Sequence, residues 1–221
     1  MILRAENISR RYFRKHGEAN FFEAVCPVSL TLEGGKFTVL NGKSGSGKTT
    51  LLNMLAGLLT PSDGKVFLDE TDLYALDDKE LSRLRSEKIG VIPQGRSAVD
   101  TLTVLENILL PGMLCGYKPR IEDAKNWMAA LGIPDLENAM PPELSGGELR
   151  RMAIARTLTA GPEVILADEP TGDLDGGNTE IVLAAFRQAA RAGKIVLAVS
   201  HETDAEAYAD QVFHMDHGMI G

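Results

Sequence analysis

The octapeptide Gly42-Lys43-Ser44-Gly45-Ser46-Gly47-Lys48-Thr49 constrains this chain more than any other segment. It fits the phosphate-loop pattern G-x-x-x-x-G-K-[ST]. Glycines, lacking Cβ, let successive backbone N–H groups turn toward one anion. A helix starting at the loop adds the partial positive charge of its N-terminus. Lys48 can reach β- and γ-phosphates, and Thr49 offers a hydroxyl to Mg²⁺, a cation that prefers oxygen. Gly42, Ser44, Gly45, Ser46, Gly47, Lys48, Thr49 and Thr50 are the candidate nucleotide ligands. The flanks agree. An apolar run, Phe37 to Leu40, precedes the loop, and Leu51, Leu52, Met54, Leu55 and Leu58 follow at helical spacing, with Gly57 near the helix end. Strand, loop and helix in that order point to an α/β fold.

The rest of the chain alternates in the same way. Phe21 to Leu32 carries apolar residues near a period of two, and Gly34-Gly35 is a turn. Lys65 to Leu68, after the turn Pro61-Ser62-Asp63-Gly64, and Ile89 to Ile92 read as further strands. From Thr103 to Thr159 the period is helical: Val104, Leu105, Ile108 and Leu109 share a face, Ile121 to Leu131 forms a second helix, and a third starts near Ser145 with Met152, Ile154, Ala155 and Leu158 buried. Val164 to Ala167 is then a strand, Thr179 to Ala192 a helix and Ile195 to Val199 a strand. This predicts one domain: an α/β core at 1–94 and 161–221, interrupted by a helical lobe at 95–160.

Composition removes several function classes. At 44% hydrophobic and 24% charged, the 221 residues are ordinary for a globular protein and unlike a disordered or disulfide-scaffold chain. A net charge of −8 argues against nucleic acid or anionic membrane as a broad partner. Cys26 and Cys115 have neither disulfide-framework nor metal-ligand spacing and read as reduced, partly buried thiols. The N-terminus meets charge at Arg4, which is not a signal peptide. No stretch approaches about 18 uninterrupted apolar residues, so direct membrane insertion is not expected.

Val164-Ile165-Leu166-Ala167 ends in two carboxylates, Asp168 and Glu169. Neighbours on a strand point to opposite faces, but at a strand end they can fan around a phosphate. Asp168 suits Mg²⁺ held through water; Glu169 suits orienting or deprotonating an attacking water. Ion-pairing to nearby arginines is the purely structural alternative. Leu144-Ser145-Gly146-Gly147-Glu148 forms a capping box through Ser145 and Glu148. Two glycines in a first helical turn are poor helix formers. They make sense where backbone meets ligand, so Ser145, Gly146 and Gly147 form a second anion site. Asp173-Leu174-Asp175-Gly176 matches the D-x-x-G of GTPases, but the chain has no Asn-Lys-x-Asp guanine reader.

The motifs in this order resemble the ATP-binding cassette (ABC) ATPases: phosphate loop, Gln94 after a strand, signature Leu144 to Glu148, Asp168-Glu169, the loop Gly172-Asp173-Leu174-Asp175, then His201. The resemblance covers nearly the whole chain. It implies a P-loop NTPase core with a mostly parallel sheet, a small antiparallel β subdomain and the helical lobe. It also implies ATP and Mg²⁺ as ligands and ATP hydrolysis as the reaction. Two cassettes, identical or different, would pack head to tail with each ATP between one phosphate loop and the other signature. By the same resemblance Gln94 senses Mg²⁺, the attacking water and a membrane partner, His201 contacts the γ-phosphate, and Asp173 and Asp175 touch the opposite site. Tyr12, 30 residues before the loop, is placed like the aromatic that stacks on adenine, with Phe13 as competitor and a strand-edge core role as the alternative.

Leu105-Glu106-Asn107-Ile108-Leu109-Leu110-Pro111, Leu166 to Gly172 and the short length look like the lipoprotein-release, macrolide-export and peptide-resistance group. The implied partner is an integral membrane permease on another chain, which would hold the cassette at the inner face of the cell membrane, in the cytoplasm. Leu102, Leu105, Met113 and Leu114 are the candidate lining of its docking groove beside Gln94. Export or extraction of a lipophilic or peptide substrate is the expected work, with ATP-driven control of a cell-wall enzyme or signalling partner as the alternative. Soluble repair or translation cassettes usually carry a second cassette or a coiled-coil insertion, and neither is present. Departures from the family pattern are Glu148 where Gln is usual, Lys43 for Pro, Ile92-Pro93 for an aromatic before Gln94, and Gly176-Gly177 at a helix start. Arg150 and Arg151 could offset the added charge of Glu148.

Overall fold

The computed structural model describes residues 1–13, 21–116, 120–172 and 174–221. Two long strands open the chain. β1 (Ile2–Phe13) and β2 (Phe21–Glu33) pair antiparallel, with Tyr12 opposite Phe22. β3 (Phe37–Asn41) leads into the phosphate loop and α1 (Lys48–Leu55). β4 (Asp63–Leu68) and β5 (Thr71–Asp72) complete an antiparallel sheet of order β2-β1-β4-β5. α2 (Asp78–Lys88) and β6 (Ile89–Ile92) follow. Three helices occupy the middle of the chain: α3 (Val104–Leu114), α4 (Ile121–Ala130) and α5 (Gly146–Ala160). β7 (Val164–Asp168), α6 (Gly176–Arg191), β8 (Ile195–Ser200), β9 (Gln211–Asp216) and β10 (Met219–Ile220) finish it. Among the described residues the second sheet runs β10-β9-β3-β8-β7-β6, parallel except for β10.

β3, β7 and β8 are buried along their whole length, as strands covered on both faces must be. Their alternation divides them between two layers. Val164 and Leu166 of β7, with Ile195, Leu197 and Val199 of β8, pack with α1 and the antiparallel sheet. Ile165, Ala167, Val196 and Ala198 face the other way, onto α3, α4, α5 and α6. β3, β7 and β8 thus end between two packed layers, which fixes their ends relative to one another.

Three elements depart from the sequence expectation. α1 stops at Leu55, and the N–H groups of Leu58 and Leu59 both turn back to the carbonyl of Asn53; Leu58, expected to be buried, is 55% exposed. α2 carries no apolar stripe: only Leu81 is buried, and the helix is opened by a capping box between Asp77 and Glu80. α6 begins at Gly176 rather than Thr179, because the Asp175 carboxylate accepts the Asn178 N–H at 2.9 Å and offsets the poor propensity of Gly176 and Gly177. The Cys115 thiol, expected to be partly buried, is exposed. Among the described residues no helix is long and apolar enough to cross a membrane.

Candidate active site

The loop after β3 is pressed between two strands. A Cβ on Gly42 would lie 2.3 Å from the Met215 carbonyl oxygen, and one on Gly47, whose φ is +107°, would lie 2.2 Å from that of Ala24. No other residue fits at either position. Lys48, almost fully buried, donates through Nζ to the carbonyls of Gly42 (2.5 Å) and Lys43 (3.1 Å) and stands 3.8 Å from Glu169 Oε1. Ser44, Gly45, Gly47, Lys48, Thr49 and Thr50 all line one cleft of about 830 Å³. Ser46 is buried behind it.

Glu169 follows β7 with φ +48°, a conformation rare for a long side chain. Its N–H is held by the Val199 carbonyl (2.9 Å), and its Oε2 lies 2.8 Å from Nδ1 of His201, just beyond β8. The turned backbone brings Glu169 into the cleft with His201 and Gln94. Asp168 stays buried beneath. Burial pushes its carboxyl above the ordinary value, the charge of Glu169 adds to this, and a hydrogen bond from Thr49 opposes it. Asp168 Oδ1 and Ser46 Oγ are both buried without a hydrogen-bond partner. An orphaned carboxylate oxygen is costly. The hydroxyl of Thr49 and the oxygens of Asp168 are the donor set that a hydrated Mg²⁺ accepts, so these residues fit the ion.

At the far end of the cleft Tyr12 stacks on Phe22, ring centroids 5.7 Å apart, with the Arg10 guanidinium 4.9 Å over the Tyr12 ring. Tyr12 and Phe22 both line the cleft; Phe13 is 88% exposed and does not.

Ser145, Gly146 and Gly147 are not part of this cleft. Ser145 caps α5, and Glu148 Oε2 accepts both its N–H (2.8 Å) and its hydroxyl (2.6 Å). Those two bonds, the hydroxyl first, hold the Glu148 carboxyl below its ordinary value. Gly146 and Gly147 line a separate hollow with Gly172 and Leu174. Asp173 lies outside the described residues. Arg151 donates to the Asn178 side chain (2.6 Å), and Arg150 to the Pro93 carbonyl (2.9 Å).

α5 also holds the segment around Gln94. Arg150 binds Pro93 on one side of it, and Arg156 binds the carbonyl and hydroxyl of Ser97 (2.7 and 2.6 Å) on the other. The fully buried Asn107 accepts the Val99 N–H and donates to the carbonyls of Val99 and Leu102. The four expected docking residues sit in different surroundings. Leu105 packs into the core and Met113 is exposed. Of the four, only Leu114 lines the apolar hollow formed with Val91, Leu110, Pro111 and Arg156. Four cleft residues were not foreseen: Phe22, Glu23, Ala24 and His217. The turn signal Asp216-His217-Gly218 could have marked the last.

The family model that describes the ABC transporter matches residues 25–172. The chain belongs to the ABC transporter ATPases. This cassette is an ATP-binding and ATP-hydrolysing subunit whose ligands are ATP and Mg²⁺. It is 37% identical to the lipoprotein-releasing system ATP-binding protein LolD of Aquifex aeolicus, over 99% of its own length and 96% of LolD. It is 38% identical to the macrolide export ATP-binding/permease protein MacB of Aggregatibacter actinomycetemcomitans, over 95% of its own length and 33% of MacB. The cassette therefore spans about a third of MacB. Its fold is similar to the dimeric structure of the cassette MJ0796 (TM-score 0.88, 32% identity, 98% and 95% of the two chains covered). It is equally similar to the dimeric post-hydrolysis state of MJ0796 bound to ADP and Pi (TM-score 0.89, 30% identity, 99% and 97% covered). The expected α/β core with a small antiparallel sheet agrees with these relatives.

Proposed function

We propose that this cassette closes with a second cassette around two ATP molecules and drives conformational change in a separate membrane permease. One observation supports this above the others: the cleft holding Lys48, Glu169 and His201 and the N-terminus of α5 holding Ser145 are separate places on one chain. A single copy cannot close one on the other. Dimeric cassettes among its structural relatives support the same reading.

In this reading the phosphates lie against the N–H groups of residues 44–49, with Lys48 on the β- and γ-phosphates. Thr49, Asp168 and Gln94 are the residues that would hold Mg²⁺. When bound, Mg²⁺ neutralises charge on the transferred phosphoryl group. Glu169 takes the proton of the attacking water, and His201, already hydrogen-bonded to Glu169, orients it and contacts the γ-phosphate. Tyr12 stacks on adenine. Ser145, Gly146, Gly147 and Asp173 serve the nucleotide of the facing cassette. Residues 1–94 and 161–221 act as the nucleotide-binding core and 95–160 as the helical lobe. The hollow at Leu114 and Arg156 seats a helix of the permease, which keeps the cassette at the cytoplasmic face of the membrane. A lipophilic or peptide substrate is extracted or exported; the lipoprotein release in the name of LolD and the macrolide export in that of MacB favour the lipophilic one.

Glu169→Gln tests the core of this. With ATP and Mg²⁺, hydrolysis falls roughly 10²- to 10⁴-fold, the range of a general base, and light scattering detects a stable dimer. A variant that stays monomeric at saturating ATP, or turns over normally, overturns the proposal.

A further inference from the structure

The turn between β9 and β10 forms part of the nucleotide cleft. His217 (φ +47°) and Gly218 (φ +81°) both have positive φ, as a two-residue type I′ hairpin turn requires. Two backbone bonds fix the turn in place. The Gly218 N–H donates to the Ser46 carbonyl (2.9 Å) in the phosphate loop, and the Gly218 carbonyl accepts the Cys26 N–H (2.9 Å) on β2. β2 runs from Phe22, which stacks on Tyr12, through Glu23 and Ala24, which line the cleft, to Cys26. The turn is therefore anchored beside the strip of wall that joins the aromatic end to the phosphate loop. His217 lines the cleft there, and its Nδ1 lies 2.8 Å from Asp216 Oδ1.

A carboxylate oxygen beside Nδ1 favours the tautomer that carries its proton there, and that tautomer presents an unprotonated Nε2, a hydrogen-bond acceptor. A nucleotide with its phosphates at Lys48 and Thr49 and its base at Tyr12 lays its sugar between them. The donors of that sugar are its hydroxyls. We propose that His217 recognises the ribose of bound ATP, its Nε2 accepting a hydrogen bond from a sugar hydroxyl, with Asp216 as the positioning residue that sets the tautomer. This rests on reading Tyr12 and the phosphate loop as the two ends of the nucleotide site.

A thermodynamic cycle tests it. Calorimetry measures ATP and 2′,3′-dideoxy-ATP, each with Mg²⁺, on the full chain and on His217→Gly, which keeps the positive φ of the turn. The wild-type chain prefers ATP about five- to tenfold, the size of one hydrogen bond. His217→Gly binds ATP as weakly as the dideoxy nucleotide and no longer discriminates, with an unchanged melting temperature. Three results overturn the proposal: a wild-type chain without preference, a variant that keeps it, or a variant that weakens both nucleotides equally. Lys48→Ala separates this from the wider reading. If it abolishes binding of both nucleotides while His217→Gly keeps the preference, the cleft assignment stands and ribose recognition falls. If Lys48→Ala binds ATP like the wild type, the cleft assignment itself falls.

Discussion

The phosphate loop and the N-terminus of α5 both offer backbone N–H groups to an anion, yet they treat their side chains in opposite ways. At the loop the side chains converge on open space: two carbonyls hold Lys48, and a left-handed backbone with His201 steers Glu169. At α5 they turn inward, and Ser145 gives both its hydroxyl and its N–H to Glu148. The loop is assembled before a ligand arrives. The α5 end is satisfied by its own carboxylate, and in the proposed dimer it would exchange that internal partner for the facing nucleotide. A helix N-terminus capped in this way can stay exposed and stable until a facing surface reaches it.

Lys48→Ala should break the loop half most strongly, with ATP affinity falling at least about 100-fold by calorimetry, since a nearly buried ammonium and its charge-assisted bonds are lost. Ser145→Ala should leave the affinity of the monomer unchanged. In a Glu169→Gln background it should raise the ATP concentration needed for dimerisation about tenfold, and loss of the cap should cost about 1 kcal/mol in thermal unfolding. Equal loss of monomer affinity would erase the distinction between the two ends. Glu148→Gln keeps an acceptor for the Ser145 N–H and removes a charge. ATP turnover should rise about two- to fivefold, the size of a charge at a helix terminus; a slower enzyme would show that the carboxylate assists.

The smallest effect is in pH. The Glu148 carboxyl is lowered by its bonds to Ser145, so its stabilisation is present above the ordinary value of 4.5 and lost as pH falls through the lowered one. Asp168 is raised by burial, so its contribution is favourable below 3.8 and lost as pH rises through the raised value. Without Mg²⁺, Asp168→Asn should therefore melt higher than the wild-type chain at neutral pH, with the difference closing in acid. For Glu148→Gln the deficit should shrink in acid instead. Melting curves between about pH 3 and 7 give both signs.

Much of the loop half was legible because its chemistry is local. The glycine spacing, Lys48 and Thr49 sit in one octapeptide, and Asp168 and Glu169 end one apolar run. What was not legible depends on distant contacts. α2 was missed because burial of Leu81 alone leaves no periodic stripe, although the Asp77 to Glu80 cap was written in the sequence. Leu58 fitted the helical spacing, but Gly57 (φ +68°) ends the helix before it. His217 reaches the cleft through the pairing of β9 with β3 and the bonds of Gly218 to Ser46 and Cys26, contacts that no local pattern reports. Of the expected groove residues, Leu102 precedes α3 and the other three share that helix but not a face: Leu105 packs inward while Leu114 lines the hollow.

Lys48 has one more consequence, in entropy. Freezing a lysine side chain costs roughly 1.5–2 kcal/mol. Here that cost falls on folding, because the carbonyls of Gly42 and Lys43 already restrain Nζ in the free chain. An ammonium has three hydrogens, and two are engaged. The incoming phosphate meets a side chain that is already ordered and has a single hydrogen left to give.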